Sequence, residues 1–278
     1  MYTTLISPEQ LQALDPEHYV ILDCRFQLTD PEYGLHAYQA GHIPGAHYFN
    51  LDYHLSGVKT GSNGRHPLPD GQRLAVDLGA AGITGDTQVI CYDDAGGMYA
   101  ARAWMLLRWL GHANVAVLDG GIQAWQQAGA VLETDKKRYM PRRFPINASL
   151  VETVDADQVL ANLDEQAFVV VDARSPERFR GEGETMDPVG GHIPGARNRF
   201  FQQNLDGSGR FKDAATLRDE WEQVLAGHNP AEIVHQCGSG VTACHNLLAM
   251  EHAGLSGSRL YPGSWSEWCS DPARPVAR

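Results

Sequence analysis

The strongest constraint on the fold of this chain is an internal repeat that divides the sequence into two similar halves. The six residues Gly-His-Ile-Pro-Gly-Ala occur at 41–46 and return, residue for residue, at 191–196. Three further pairs of segments keep the same order along the chain: 19–25 with 168–174, 89–96 with 233–240, and 118–125 with 260–268. Four matches in one order indicate a duplicated domain, because chance similarity would not preserve the order.

The pattern of apolar residues within each half predicts the fold class. Short apolar runs at 19–23, 88–92 and 114–118 predict buried strands, and helical spacing predicts helices over about 72–81 and 98–110. Strands that alternate with helices favour a parallel arrangement, since each crossover helix packs on the sheet. The sequence therefore predicts an α/β protein with two tandem domains, each a mostly parallel sheet with helices on both faces.

The repeat also gives approximate domain boundaries. We predict an N-terminal domain over 1–131, a linker over 132–150 and a C-terminal domain over 151–278. The linker holds the basic run Lys136-Lys137-Arg138 and two nearby prolines. A solvated connection explains such a run better than a binding role.

Composition excludes several classes of partner and location. The chain has 278 residues and a formal net charge of −12, which argues against a nucleic-acid partner and means that local donors must hold any anionic ligand. No apolar stretch approaches the roughly 20 residues of a membrane helix, and no signal peptide is evident. The 5 cysteines are odd in number and form no Cys-x-x-Cys pair, so we expect a reducing, cytoplasmic environment.

The segment from Ile233 to Thr242 is the predicted reactive centre. It joins a buried strand to a helix through Cys237 and a loop with two glycines, Gly238 and Gly240. Glycines let the backbone curl and point its N–H groups inward, and the helix adds its positive N-terminal end. Such a cradle stabilises a thiolate, so Cys237 is the predicted nucleophile at the carboxyl edge of the sheet. Asp93 holds the matching position in the first half and cannot act as a sulfur nucleophile.

Other readings of this segment fit less well. A cysteine phosphatase needs an arginine six positions after its cysteine, and Ala243 is found there. No phosphate-binding Gly-x4-Gly-Lys motif is present, and Cys237, Cys244 and His245 match no common zinc spacing, so we expect neither a cofactor nor a metal. His42 and His192, in the repeated Gly-His-Ile-Pro-Gly turns, are expected to hydrogen-bond the turn. A non-catalytic binding module stays open, chiefly for the first half.

Taken together, these motifs resemble the two-domain rhodanese family of sulfurtransferases. The resemblance covers almost the whole chain and rests on the strand-Asp-x-Arg pair, the repeated turns, the Cys237 loop and the closing Gly-Ser-Trp-x-Glu-Trp at 263–268. It implies that Cys237 takes a sulfane sulfur from a small anionic donor as a persulfide. The persulfide would then pass sulfur to an acceptor such as thioredoxin, a small thiol or cyanide.

Within that family the loop is similar to the version that uses 3-mercaptopyruvate. Thiosulfate-type members usually have basic side chains directly after the cysteine, whereas this loop has Gly238 and Ser239. The resemblance groups Ser239 with His66 and Asp52, a set suited to acid–base work on the donor. A histidine that only packs or hydrogen-bonds is an equal reading of His66, and thiosulfate stays open as the alternative donor.

The resemblance also implies residues that bind the donor. Its carboxylate needs arginine, and Arg178 matches the family's first substrate arginine. The second arginine usually precedes Gly-His-Ile-Pro-Gly, but segment 181–190 has none. The candidates to replace it are Arg197, Arg199 and Arg102. The remaining predicted donor-binding residues are Gly238, Gly240, Val241 and Thr242 of the loop, and Tyr99, for which core packing is an equal reading.

Overall fold

The computed structural model describes residues 1–135 and 140–278 and divides them into two compact units. The first unit comprises Met1–Gly57, Pro69–Leu150 and Gly207–Arg210, and the second comprises Val58–Leu68, Val151–Asp206 and Phe211–Arg278. The basic run Lys136-Lys137-Arg138 of the predicted linker lies outside the described residues.

The two units are not continuous in sequence, because each contains a short segment from the other half of the chain. Val58–Leu68 belongs to the second unit, and Gly207–Arg210 belongs to the first. We call these the 58–68 strap and the 207–210 strap. The predicted boundaries at 131 and 150 ignore this exchange and stay a prediction. Neither strap contains a helix or a strand, so no periodic pattern marked it in the sequence.

The first unit is built on a five-stranded parallel sheet. Its strands are β1 (Leu5–Ile6), β2 (Tyr19–Asp23), β3 (Ala46–Tyr48), β4 (Gln88–Tyr92) and β5 (Val115–Leu118), in the order β1-β5-β4-β2-β3. Its helices are α1 (Pro8–Gln12), α2 (Tyr33–Ala40), α3 (Gly71–Ala80), α4 (Met98–Trp109) and α5 (Gly121–Gln127). The parallel sheet and the helices predicted at 72–81 and 98–110 are confirmed, with ends shifted by one residue.

The second unit repeats this plan with four parallel strands. They are β6 (Val169–Asp172), β7 (Arg197–Asn198), β8 (Ile233–Gln236) and β9 (Arg259–Leu260), in the order β7-β6-β8-β9. Its helices are α6 (Ala156–Glu165), α7 (Pro176–Phe179), α8 (Ala214–Leu225), α9 (Thr242–His252) and α10 (Ser264–Trp268), with 3-10 turns at Phe201–Asn204 and Pro230–Glu232. No described helix is long and apolar enough to cross a membrane.

Burial on one face of β8 anchors the sheet of the second unit. Val234 packs in a core with Tyr261, Trp265 and Trp268, all of them fully buried. Burying a large apolar side chain contributes about 1.5–3 kcal/mol, so this cluster fixes α10 against the sheet. The register pairs Asp172 of β6 with Gln236 of β8. The residue after Gln236 therefore lies at the carboxyl edge of the sheet.

The histidines of the repeated Gly-His-Ile-Pro-Gly turns make the same contacts in both units. His42 Nδ1 lies 2.8 Å from the Tyr38 carbonyl oxygen, and His192 Nδ1 lies 2.8 Å from that of Phe179. Each imidazole also stacks on the ring of the same residue, at 3.9 and 3.8 Å between centroids. Tyr38 lies in α2 and Phe179 in α7, so each imidazole bonds the helix before its turn, whereas we had expected it to bond the turn itself.

Candidate active site

Cys237 follows β8 directly and lies at the carboxyl edge of the second sheet, almost fully buried. Two contacts from the start of α10 fix its backbone. Its N–H donates to Ser264 Oγ at 3.1 Å, and its carbonyl accepts the Trp265 N–H at 2.9 Å. The thiol is therefore placed by the sheet on one side and by α10 on the other.

Ser264 holds Cys237 from a backbone conformation that normally favours glycine. Its φ is +55°, and the matching residue of the first unit is Gly121, with a φ of +58°. The Ser264 hydroxyl accepts from Cys237 and donates to the Tyr261 carbonyl at 2.9 Å. A left-handed conformation costs a non-glycine residue about 1–2 kcal/mol. Ser264 could not be predicted from the sequence, because its contact with Cys237 depends on a positive φ that only the structure reveals.

The loop after Cys237 requires glycine at 240. Gly240 has a φ of +78°, and a Cβ built on it would lie 2.3 Å from the carbonyl oxygen of Pro262. Any side chain at this position would therefore displace the backbone of the neighbouring loop. Val241 is buried, and Thr242 begins α9, so the loop enters the helix directly.

The first unit shows what such a loop can enclose. The Asp93 carboxylate, at the position matching Cys237, accepts four backbone N–H groups at 2.8–2.9 Å, from Ala95, Gly97, Tyr99 and Ala100. Burial raises the pKa of Asp93, and these four N–H groups oppose the rise. A strand–loop–helix connection of this kind therefore presents converging donors to a negatively charged group.

His66 and Ser239 meet in the second unit. His66 Nδ1 lies 2.7 Å from Ser239 Oγ, and both side chains are buried. His66 reaches this position on the 58–68 strap. Asp52, the third predicted member, belongs to the first unit, where its N–H donates to Asn50 Oδ1 at 2.8 Å. Its predicted role beside His66 stays a prediction.

Arg178 lies beside the residue that follows Cys237. A Cβ built on Gly238 would be 3.5 Å from Arg178 Nη1. The guanidinium donates to Glu184 through Nε and Nη2 at 3.1 Å, and to Asp187 Oδ2 at 3.1 Å. Since a quarter of the Arg178 side chain is exposed, part of its cationic surface is open to a ligand.

Arg65 is a second guanidinium at this place and was not predicted from the sequence. Its Nη2 would be 2.9 Å from a Cβ on Gly238, and its Nη1 forms an ion pair with Asp187. Its Nε is buried without a hydrogen-bond partner among the described residues. Arg65 directly precedes His66 on the 58–68 strap. That adjacency was a signal for Arg65 in the sequence, whereas Arg197, Arg199 and Arg102 were the predicted replacements for the second arginine.

The three arginines considered as replacements are bound elsewhere. Arg197 donates to the carbonyl groups of Val224 and Leu225, and Arg199 pairs with Glu220. Arg102 is fully buried in the first unit and donates to the Leu55 carbonyl at 3.2 Å. Among the described residues, Arg65 is instead the second guanidinium beside Gly238.

Tyr99 lies in the first unit on α4. It is buried, its ring packs edge-on against Phe26 at 5.6 Å, and its N–H donates to Asp93. Burial raises the pKa of its hydroxyl. These contacts favour the packing interpretation of Tyr99, and a role in lining a donor pocket stays a prediction.

The assembled residues define the chemistry available here. A thiol lies at the start of a glycine-containing loop that connects to a helix N-terminus, a setting that favours nucleophilic attack by sulfur. A Ser–His pair adjoins it and can move a proton. Two guanidinium groups beside Gly238 can bind a carboxylate or a sulfur oxyanion.

Comparison with known proteins finds similarity along nearly the whole chain. The model of the rhodanese-like domain matches residues 7–128 and 155–271. A probable 3-mercaptopyruvate sulfurtransferase of Pseudomonas aeruginosa is 48% identical over 276 residues, covering 98% of this chain and 97% of the relative. A thiosulfate sulfurtransferase of Rattus norvegicus is 34% identical over 255 residues, covering 89% and 84%.

A solved structure extends the similarity to the fold. The 3-mercaptopyruvate sulfurtransferase of Leishmania major superposes with a TM-score of 0.87 at 31% identity. The superposition covers 99% of this chain and 76% of the other. The similarity therefore spans both units, including the one in which Asp93 stands where Cys237 stands in the other.

Proposed function

The chain belongs to the rhodanese-like domain family through both of its halves, and we propose that it is a sulfurtransferase that uses 3-mercaptopyruvate as donor. The observation that carries this proposal is the pair of guanidinium groups, Arg65 and Arg178, beside the residue that follows a buried cysteine. The donor has a carboxylate for the arginines and a sulfur for Cys237.

The first half-reaction transfers sulfur to the enzyme. The Cys237 thiolate attacks the sulfur of mercaptopyruvate and forms the S–S bond of a persulfide. The C–S bond of the donor breaks, its electron pair passes to the methylene carbon, and pyruvate leaves as its enolate, which then takes up a proton. The amides of the loop stabilise the terminal sulfur anion, as the amides around Asp93 stabilise a carboxylate.

Side chains around the loop assist this step. Arg65 and Arg178 bind the donor carboxylate, since planar guanidinium groups suit two-point binding. Ser239 and His66, 2.7 Å apart, polarise the ketone oxygen and supply the proton of the leaving enolate. The family resemblance alone groups Asp52 with this pair.

The second half-reaction returns the enzyme to its thiolate. An acceptor attacks the outer sulfur of the persulfide, the S–S bond breaks, and Cys237 leaves as thiolate. A dithiol protein such as thioredoxin or a small thiol would take the sulfur as a persulfide, and cyanide would become thiocyanate. All 5 cysteines are free and buried in the structure, which supports a reducing compartment such as the cytoplasm.

Thiosulfate is the second candidate donor. A relative named for thiosulfate is 34% identical to this chain, and the same two arginines could bind a sulfonate group. The uncharged residues Gly238 and Ser239 favour mercaptopyruvate. In either case we propose that the first unit is non-catalytic, because Asp93 replaces the cysteine.

The test is sulfur release to cyanide or a thiol with each donor in turn, with Cys237→Ser as control. We expect a much higher kcat/KM with mercaptopyruvate, together with pyruvate formation equal to the sulfur transferred. A higher kcat/KM with thiosulfate would reverse the donor assignment. Activity that persists in the serine variant would contradict the mechanism.

A further inference from the structure

The cationic site beside Gly238 rests on two buried carboxylates. The side chains of Arg65 and Arg178 are 28% and 25% exposed, whereas those of Glu184 and Asp187 are only 5% and 3% exposed. The acids therefore lie beneath the arginines, and the arginines present their remaining surface to solvent. Both acids come from segment 181–190, where the family resemblance led us to expect an arginine.

Asp187 is the residue that joins the two arginines. Its Oδ1 binds Arg65 Nη1, and its Oδ2 binds Arg178 Nη2 at 3.1 Å. Glu184 binds Arg178 and also accepts the N–H groups of Met186 and Asp187, at 2.9 and 3.2 Å, which fixes the turn that carries Asp187. The bridging carboxylate is therefore held in place by the backbone as well as by its ion pairs.

A shared anion is needed where two cations lie so close together. Terminal nitrogens of both guanidinium groups lie within 3.5 Å of the same point, the Cβ position of Gly238. Like charges at such separations repel strongly when they are partly shielded from water. Asp187 removes this repulsion and balances one of the two charges, and Glu184 balances the other. The four side chains together have a formal charge of zero.

We propose that Asp187 determines donor specificity, because it balances the charge of the Arg65–Arg178 pair and so favours a monoanionic donor over a dianion. This inference rests on the proposed function. Mercaptopyruvate carries one negative charge and thiosulfate two. In this site Asp187 repels both negative charges of a dianion. A carboxylate contacts both guanidinium groups while it carries only one negative charge.

The substitution Asp187→Asn tests this by removing the charge while keeping the shape. At a separation of about 6 Å and an effective dielectric constant of about 40, one unit charge changes relative affinity about tenfold. We therefore expect the ratio of kcat/KM for thiosulfate to kcat/KM for mercaptopyruvate to rise about tenfold. KM for both donors should rise as well, since the arginines lose their bridge. An unchanged or lower ratio would overturn the proposal.

Two matched variants distinguish an effect of Asp187 on donor specificity from an effect of overall charge or of altered structure. Glu182→Gln makes the same charge change five residues away, at an exposed carboxylate paired with Arg180 at 2.9 Å. We expect it to leave the ratio unchanged, and an equal shift would overturn the proposal. Asp187→Glu keeps the charge, so we expect it to keep the ratio of the two kcat/KM values. A change in that ratio as large as that of Asp187→Asn would count against the proposal. If Asp187→Asn does not fold, Glu184→Gln replaces it as the test. We then expect the same rise in the ratio of kcat/KM for thiosulfate to kcat/KM for mercaptopyruvate.

A binding measurement keeps this test independent of turnover. Pyruvate and sulfate, as monoanion and dianion, can each protect Cys237 from alkylation by iodoacetamide. In Asp187→Asn we expect protection by sulfate to improve about tenfold relative to protection by pyruvate. An unchanged relative protection would overturn the specificity role. If the unsubstituted protein transfers sulfur from neither donor, the proposed function fails, and the protection ratio still decides the role of Asp187.

Discussion

Gly238 shows how a single missing side chain shapes the site at the residue scale. The space beside its Cα is taken by the guanidinium groups of Arg65 and Arg178. A Cβ at 238 would lie 2.9 Å from Arg65 Nη2 and 3.5 Å from Arg178 Nη1, so a basic side chain there would have to displace the Arg65 guanidinium. The positive charge that other members of the family place directly after the cysteine is therefore supplied here from two other segments of the chain.

Arg65 is the side chain whose removal we expect to weaken donor binding most selectively. In Arg65→Ala the donor carboxylate loses one of two guanidinium groups, and Asp187 is left with one fewer partner. Truncating one member of a buried charged contact costs about 2 kcal/mol or more, which corresponds to about 30-fold in KM for mercaptopyruvate. Initial rates over a range of donor concentrations measure this change.

Arg180→Ala is the matched control for Arg65→Ala. Arg180 is half-exposed and pairs with the exposed Glu182, so we expect its loss to leave KM within about twofold. If both variants raise KM equally, overall charge rather than the contact beside Gly238 controls binding.

Ser264 allows a prediction about the placement of Cys237. Ser264→Gly keeps the positive φ without strain but loses the hydroxyl that accepts the Cys237 N–H. A buried donor left without a partner costs about 1–3 kcal/mol, so we expect kcat/KM to fall about tenfold or more. Ser264→Ala should be the less stable of the two, because it retains the strain as well. Thermal unfolding and steady-state rates measure both effects, and full activity in the glycine variant would contradict this placement.

At the scale of an element, strand β8 contains a buried histidine that makes stability depend on pH. His235, next but one to Cys237, is fully buried, and neither of its ring nitrogens has a hydrogen-bond partner among the described residues. Burial lowers the pKa of His235 to about 3, from an ordinary value of 6.5. In the unfolded chain the imidazole binds a proton below about pH 6.5, whereas in the folded protein it does not until about pH 3. The stability that this residue provides is therefore complete above pH 6.5 and is lost as the pH falls.

This linkage predicts acid sensitivity of the second unit. From pH 7 to pH 5, protonation of His235 in the unfolded chain should lower the free energy of unfolding by about 2 kcal/mol. The decrease is about 1.4 kcal/mol per pH unit below 6.5. His235→Leu should lose less stability over the same range. Urea unfolding of both proteins at the two pH values measures the difference. An equal loss in both would show that other groups control the acid response.

The elements also show which features can be predicted from sequence. Cys237, Ser239 and Arg178 lie in or beside patterned segments, and the strand–loop–helix setting of Cys237 followed from apolar periodicity and glycines. The register of β3 could not be predicted in this way: its pairing with β2 begins at Ala46. That register depends on the partner strand and not on the local residues. Arg65 and Asp187 belong to irregular segments that only the folded chain brings beside Gly238.

Exchange of the straps is the main feature at the scale of the whole molecule. The second unit contains the 58–68 strap, with Arg65 and His66, and the first contains the 207–210 strap, where Arg210 lies against Gly120. Both straps place an arginine after a glycine of positive φ, Gly64 or Gly209. The repeat therefore includes the straps, and each half of the sequence completes the unit formed by the other.

The exchange predicts that the two halves depend on each other for activity. A fragment of residues 151–278 has Cys237 but lacks Arg65 and His66, so we expect sulfur transfer of about 1% of the intact chain or less, on the scale of losing two binding or proton-transfer groups. Co-expression with residues 1–150 should restore most of it. Assays of each fragment alone and of both together measure this. Full activity in the lone 151–278 fragment would show that the strap is dispensable.

The strap exchange also has a consequence for the order of events during synthesis on the ribosome. Each unit includes residues from the opposite half, so the early half of a nascent chain cannot finish its structure until residue 210 has left the exit tunnel. Cys237 is translated later still, and the loop that follows it meets Arg65 and His66 on a strap made long before. Ser264 and Trp265, which fix the backbone of Cys237, are translated after it, so we expect a nascent chain to complete its reactive centre only when α10 has also emerged.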